Sequence, residues 1–212
     1  GGVVTMTNCA NDYPDTKDNQ TSGTVNWSSG TIQSATSGDW NITTTWIGNV
    51  VPSVADDVQI NTGNVVTLTS QGWARGITVS SGAGLALSGA TLRIRQNDGF
   101  LVNNGAITVA SASTINSALA GQLFTYTGVD IVKNASMTLG GIDYRTAMLV
   151  PNGVTLTFND AMSTSAVTIN QGGTLLHQTA TEEWQISGDV SISGTVRLGA
   201  NTTTSIFCPA AA

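Results

Sequence analysis

The chain has 212 residues, enough for one domain with a sizeable core; 9% of them are charged and the net charge is −6. Seven Lys and Arg with no basic run exclude a phosphate-tracking surface for nucleic acid, and no apolar window approaches the roughly 18 residues of a membrane-inserted helix. Hydrophobic residues make up 40% and alternate with polar ones, which excludes a disordered chain.

Residues 1–36 read as an N-terminal extension outside the repeat that follows. Val3, Val4 and Met6 suit one strand, residues 11–23 are polar turn material, and residues 24–32 suit a second strand. Asp12, Asp15 and Asp18, with Asn11 and Asn19, form an oxygen-rich cluster of the kind calcium takes. The spacing matches no calcium loop and lacks its glycine, so a solvated turn is the better reading, and no other cofactor is expected. The chain opens on Gly1 rather than Met, which suggests a processed product. Ser and Thr together number 52, so hydroxyls rather than charges make the surface polar, the usual look of a secreted β-rich protein.

From residue 37 to 212 the chain reads as one solenoid domain. A Trp-rich opening over residues 37–60 leads into a glycine repeat: Gly63, Gly84, Gly105, Gly128, Gly153, Gly173 and Gly194, at intervals of 20 to 25 residues. Most are followed by a short apolar–polar alternation, as in Val65-Val66-Thr67-Leu68 and Thr195-Val196-Arg197-Leu198. A second alternating run recurs between them, as in Gly76-Ile77-Thr78-Val79 and Met137-Thr138-Leu139. Turn glycines with short strands at a near-fixed period predict an all-β parallel β-helix of about seven to eight coils. An antiparallel β-sandwich would alternate likewise and is the rival fold. Asn61, Asn64, Asn103, Asn104, Asn152 and Asn170 fall at predicted turns, where Asn tolerates left-handed backbone.

The stretch Ser37-Gly38-Asp39-Trp40-Asn41, then Thr45-Trp46-Ile47-Gly48-Asn49-Val50-Val51-Pro52, Asp56-Asp57-Val58-Gln59-Ile60 and Gly63-Asn64-Val65-Val66-Thr67-Leu68 resembles the opening of many secreted bacterial β-helical proteins. It is also similar to the start of the eight-glycine domain of extracellular proteins. The resemblance covers roughly residues 37–95 and implies an extracellular β-helix of the kind found in adhesins, structural layers and polysaccharide-associated proteins.

Chemistry-bearing residues are few. His177 is the lone histidine and no Gly-x-Ser-x-Gly pattern accompanies it, so a structural role on a strand is expected. One His and two distant Cys give no zinc spacing. Asp56-Asp57 and Glu182-Glu183 are adjacent pairs, and neighbours on a strand point to opposite faces, so neither is a ready acid–base dyad. Trp27, Trp40, Trp46, Trp73 and Trp184 are read as core or cap packing in preference to sugar stacking. Asn19, Asn26, Asn41, Asn134 and Asn201 head glycosylation sequons, which would make the chain a glycoprotein in a glycosylating cell. Cys9 and Cys208, near opposite ends, are disulfide candidates; a bridge within one molecule, a bridge between subunits and free thiols all remain open.

The composition and repeat together favour a non-enzymatic extracellular structural protein, a subunit of a fibre or filament whose partner is itself. Joining would be head to tail or by addition of the Val3–Val4–Met6 strand. A carbohydrate-binding adhesin module with a glycan partner is the first alternative, and a polysaccharide lyase or hydrolase the second. Neither nucleic acid binding nor membrane insertion is expected.

Overall fold

The computed structural model describes residues 31–95, 98–118, 123–159, 162–178, 184–198 and 206–207. The chain winds as a parallel β-solenoid whose strands stack into three sheets. Every ladder between named strands is parallel, which settles the fold against the antiparallel sandwich. Sheet I runs through Thr31–Gln33, Asp57–Ile60, Gly76–Val79, Phe100–Asn103, Phe124–Gly128, Ile142–Val150, Met162–Ile169, Trp184–Ile186 and Ile206–Phe207, and Val190–Ile192 also pairs with Met162–Ile169. Sheet II comprises Gly38–Asp39, Val65–Leu68, Gly84–Ser88, Ala106–Ser111 and Val132–Lys133. Sheet III comprises Gln71–Ala74, Thr91–Ile94, Ser113–Ser117, Met137–Gly140, Thr155–Phe158, Thr174–His177 and Thr195–Leu198. Thr31–Gln33, which the sequence places in the N-terminal extension, is already a strand of sheet I, paired with Asp57–Ile60.

Alternation along each strand becomes columns across the stack. In sheet I, Val58, Ile77, Leu101, Tyr126, Tyr144, Thr164 and Ile186 succeed one another in register, all buried. In sheet III, Leu92, Ile115, Leu139, Phe158 and His177 do the same. Each fully buried aliphatic or aromatic side chain contributes about 1.5–3 kcal/mol of transfer free energy. Because the period along a strand is two, the polar residues between them form equally regular columns outside.

The predicted glycines do two different jobs. Gly63 and Gly153 have φ of +84° and +74°, and each donates its N–H to a left-handed glycine one coil on, Gly82 and Gly172 respectively. These are tight-turn positions whose left-handed backbone favours glycine. Gly105, Gly173 and Gly194 are instead close-approach positions: a Cβ on Gly105 would run into the carbonyl oxygens of Ser80 and Ala83. Gly84 faces Val65 across sheet II, and Gly128 combines a positive φ with contact on the Asn103 backbone.

The cross-section changes partway up. From Asp57–Ile60 through Val132–Lys133 each coil visits all three sheets, with the turns at 61–64 and 80–83 leading from sheet I to sheet II. After Lys133 no described strand joins sheet II. The sheet I strands lengthen to nine residues at Ile142–Val150 and eight at Met162–Ile169, with a register shift between Tyr144 and Ala147, and the turns at 151–154 and 170–173 lead straight into sheet III.

The two ends differ. At the N-terminal end Trp40 and Trp46 are buried edge to face, with ring centroids 5.0 Å apart, and Trp46 Nε1 donates to the Trp40 carbonyl at 2.7 Å. Gly72 makes room for this cap, since a Cβ there would meet Leu68 and Trp40 Nε1. At the other end Val190, Ile192 and Leu198 are 37%, 54% and 49% exposed, although their register partners Val167, Ile169 and His177 are at most 1% exposed. Their column positions are core positions with the next layer missing among the described residues.

Candidate functional site

Three places concentrate chemistry or unpartnered surface. The first is a buried polar knot at the level where sheet II ends. Lys133 occupies an inward position in register with Val109, and its side chain is fully buried. Its ammonium donates to Asp130 Oδ1 at 2.8 Å, to Asp130 Oδ2 at 2.9 Å and to the Ile131 carbonyl at 2.9 Å. The Tyr144 hydroxyl also donates to Asp130 Oδ1, and the Leu149 N–H to Oδ2 at 3.0 Å. One coil below, the Tyr126 hydroxyl donates to the Val129 carbonyl, and Asn103 Nδ2 donates to that carbonyl at 2.8 Å and to the Tyr126 hydroxyl at 3.2 Å. Burial pushes the Lys133 ammonium below its usual range against the pull of Asp130, and burial pushes both tyrosines up. All three donors of the lysine are satisfied, so the arrangement reads as an internal clamp on the change of cross-section.

The second place is the outer face of sheet III. Register puts Thr91, Thr114, Thr138 and Thr157 in one outward column. Thr155, Thr174 and Thr195 stand in a second column beside it, with Ser136, whose hydroxyl accepts from the Thr155 N–H, one coil below. A shallow open trough of about 200 Å³ runs between the columns, floored by Ser113 and Met137. A third column begins with Trp73, over whose ring the Arg93 guanidinium lies at 5.3 Å, and continues to Asn116. The third place is the open end at Val190–Ile192 and Thr195–Leu198, where the last described strand of sheet III presents an edge.

The residues singled out in the sequence are scattered. His177 is buried in the sheet III column, and burial lowers its pKa. Asp56 and Asp57 diverge: Asp57 pairs with Arg75, whereas Asp56 Oδ2 accepts from Ser53 N at 2.9 Å and Ser53 Oγ at 2.6 Å. Trp40 and Trp46 form the cap, while Trp73 sits half-buried on the outside. The sequon residues Asn41 and Asn134 are both exposed. Val3, Val4, Met6, Cys9, Asp12, Asp15, Asp18, Asn19, Asn26, Trp27, Glu182, Glu183, Asn201 and Cys208 lie outside the described residues. Among the described residues no three of His, Cys, Asp and Glu gather as metal ligands, and no helix is long and apolar enough to cross a membrane.

Sequence reasoning missed the knot and the hydroxyl columns. The knot had a signal: Phe124-Thr125-Tyr126 and Ile142-Asp143-Tyr144 share one pattern, one coil apart. No family model, curated protein or solved structure matches this chain.

Proposed function

We propose that the chain is a non-enzymatic structural subunit of an extracellular filament, joined by adding its N-terminal strand to the C-terminal end of the next copy. The observation that carries this reading is the asymmetry of the ends. Two buried tryptophans close the N-terminal end, while Val190, Ile192 and Leu198 stand exposed at positions that are core in the coil below. A closed end meeting an open one disfavours blunt stacking and favours strand addition. An added strand would supply main-chain hydrogen bonds to the edge at Thr195–Leu198, and alternate apolar side chains would cover the exposed positions. The strand-like Val3-Val4-Thr5-Met6, which precedes the first described strand by more than twenty residues, has the alternation and the reach. A contact of this kind does not close on itself and therefore propagates.

Deletion of residues 1–20 tests the reading by sedimentation velocity. The full chain is expected to sediment as a concentration-dependent series and the truncated chain as a monomer. Identical assemblies from both chains would refute strand addition.

A further inference from the structure

Two of the described cations are left over when the ion pairs are drawn. Among the described basic residues, Arg75 pairs with Asp57, Arg95 with Asp98, Lys133 with Asp130 and Arg145 with Asp143. Arg93 and Arg197 have no carboxylate, and both stand on the outer face of sheet III. None of the seven strands of that sheet contains Asp or Glu. On a chain of net charge −6, one face is therefore free of carboxylates within its described strands and carries both of the described cations without a carboxylate.

The same face has unsatisfied hydrogen-bonding groups. Arg93 Nε is buried without a hydrogen-bond partner, and so is Asn116 Oδ1, its register neighbour on the next strand. The Trp73 ring lies beneath the guanidinium and attracts its charge. Arg93 and Arg197 lie five strands apart in sheet III, roughly 24 Å at about 4.8 Å per strand. Between their levels run the threonine columns and their trough, with Arg93 one column to the side, in register with Trp73 and Asn116, and Arg197 beyond Leu176 at the head of the Thr157 column; each hydroxyl can both donate and accept. No small anion bridges that span. An extended chain with repeated carboxylates and many hydroxyls does.

We propose that the outer face of sheet III binds an anionic polysaccharide, a uronate polymer lying over the threonine columns between the two arginines. Arg93 takes a uronate carboxylate in two-toothed fashion at one end and Arg197 takes another toward the C-terminal end. The threonine hydroxyls between them exchange hydrogen bonds with sugar hydroxyls. A single-stranded nucleic acid would need open aromatic faces for its bases, and the Trp73 ring on this face is covered by the Arg93 guanidinium. The inference does not rest on assembly: Arg197 belongs to the terminal strand Thr195–Leu198, but a strand added to that edge leaves the outer face of sheet III uncovered.

Native electrophoresis of the full chain through gels containing polygalacturonate tests it, with hydroxyethylcellulose and single-stranded DNA gels alongside. Polygalacturonate is expected to retard the protein, and the neutral glucan and the DNA are not. Arg93→Gln should weaken retardation about 10-fold, as loss of a charge-assisted pair does. Arg145→Gln, on a side chain 62% exposed over sheet I, should leave it unchanged. Thr138→Val keeps the β-branched shape and should weaken it a few-fold, which keeps the test intact if Arg93→Gln misfolds by circular dichroism. No retardation by polygalacturonate, equal retardation in the neutral glucan or DNA gel, or equal loss in Arg145→Gln would each overturn the proposal.

Discussion

Tyr126 and Tyr144 stack face to face across one coil boundary, with ring centroids 4.3 Å apart and planes 2° from parallel. Their hydroxyls diverge, one to the Val129 carbonyl and one to Asp130. The pair thus joins a hydrophobic column to the polar knot that holds Lys133.

Breaking that knot on one side should cost more than removing it. Asp130→Asn leaves a buried ammonium without its counter-charge and is expected to destabilise by about 3–5 kcal/mol. Lys133→Met combined with Asp130→Asn should recover most of that loss, since neither buried charge then remains. Denaturant midpoints of the two variants decide it. A double variant less stable than Asp130→Asn alone would contradict the clamp.

The buried tyrosines and histidine set opposite pH limits. The folded-state pKa of Tyr126 and Tyr144 lies above the ordinary 10.0 because burial disfavours the phenolate. The unfolded chain therefore releases these protons first, and their contribution to stability is lost as pH rises from about 10 toward the folded values. Lys133, held below its ordinary 10.5, contributes the opposite slope below that value. His177, lowered from 6.5 by burial, contributes stability that is lost as pH falls from 6.5 toward its folded value. Thermal midpoints measured across pH should show both limbs. Replacing both tyrosines by Phe should flatten the alkaline one, and an unchanged alkaline limb would show that other groups govern it.

The two glycine classes should answer differently to substitution. Gly63→Ala meets open space and carries only the left-handed backbone penalty, about 1–2 kcal/mol; Gly63→Asn should cost less. Gly105→Ala and Gly105→Asn should both be severe, because any Cβ there meets two carbonyl oxygens. Thermal unfolding of the four variants tests this, and a mild Gly105→Asn would erase the distinction.

Those glycines also mark how far the sequence could be read. The alternation in Val65-Val66-Thr67-Leu68 and its successors carried the sheets, because a strand with one buried face must alternate. Counting glycines carried less. Gly63 and Gly153 answer to backbone conformation while Gly105 and Gly194 answer to packing against the coil below, and the one-letter sequence does not separate those causes. The turn glycines that stack on Gly63 and Gly153 are Gly82 and Gly172, neighbours of the ones the repeat picks out. The loss of sheet II after Lys133 coincides with the longer sheet I strands and their register shift between Tyr144 and Ala147, which no local motif announces. Sheet III's outer columns were visible only as ordinary threonines until register aligned Thr114, Thr138 and Thr157.

Assembly at the open end is the central claim, and sedimentation velocity of the full chain beside Ile192→Lys across a concentration series tests it most directly. Ile192 is 54% exposed where its partner Ile169 is 1% exposed, so a lysine there is tolerated by the fold and not by an added apolar strand. Growing oligomers are expected from the full chain and a monomer from the variant. A full chain that stays monomeric at every concentration, or a variant that assembles equally well, would contradict it.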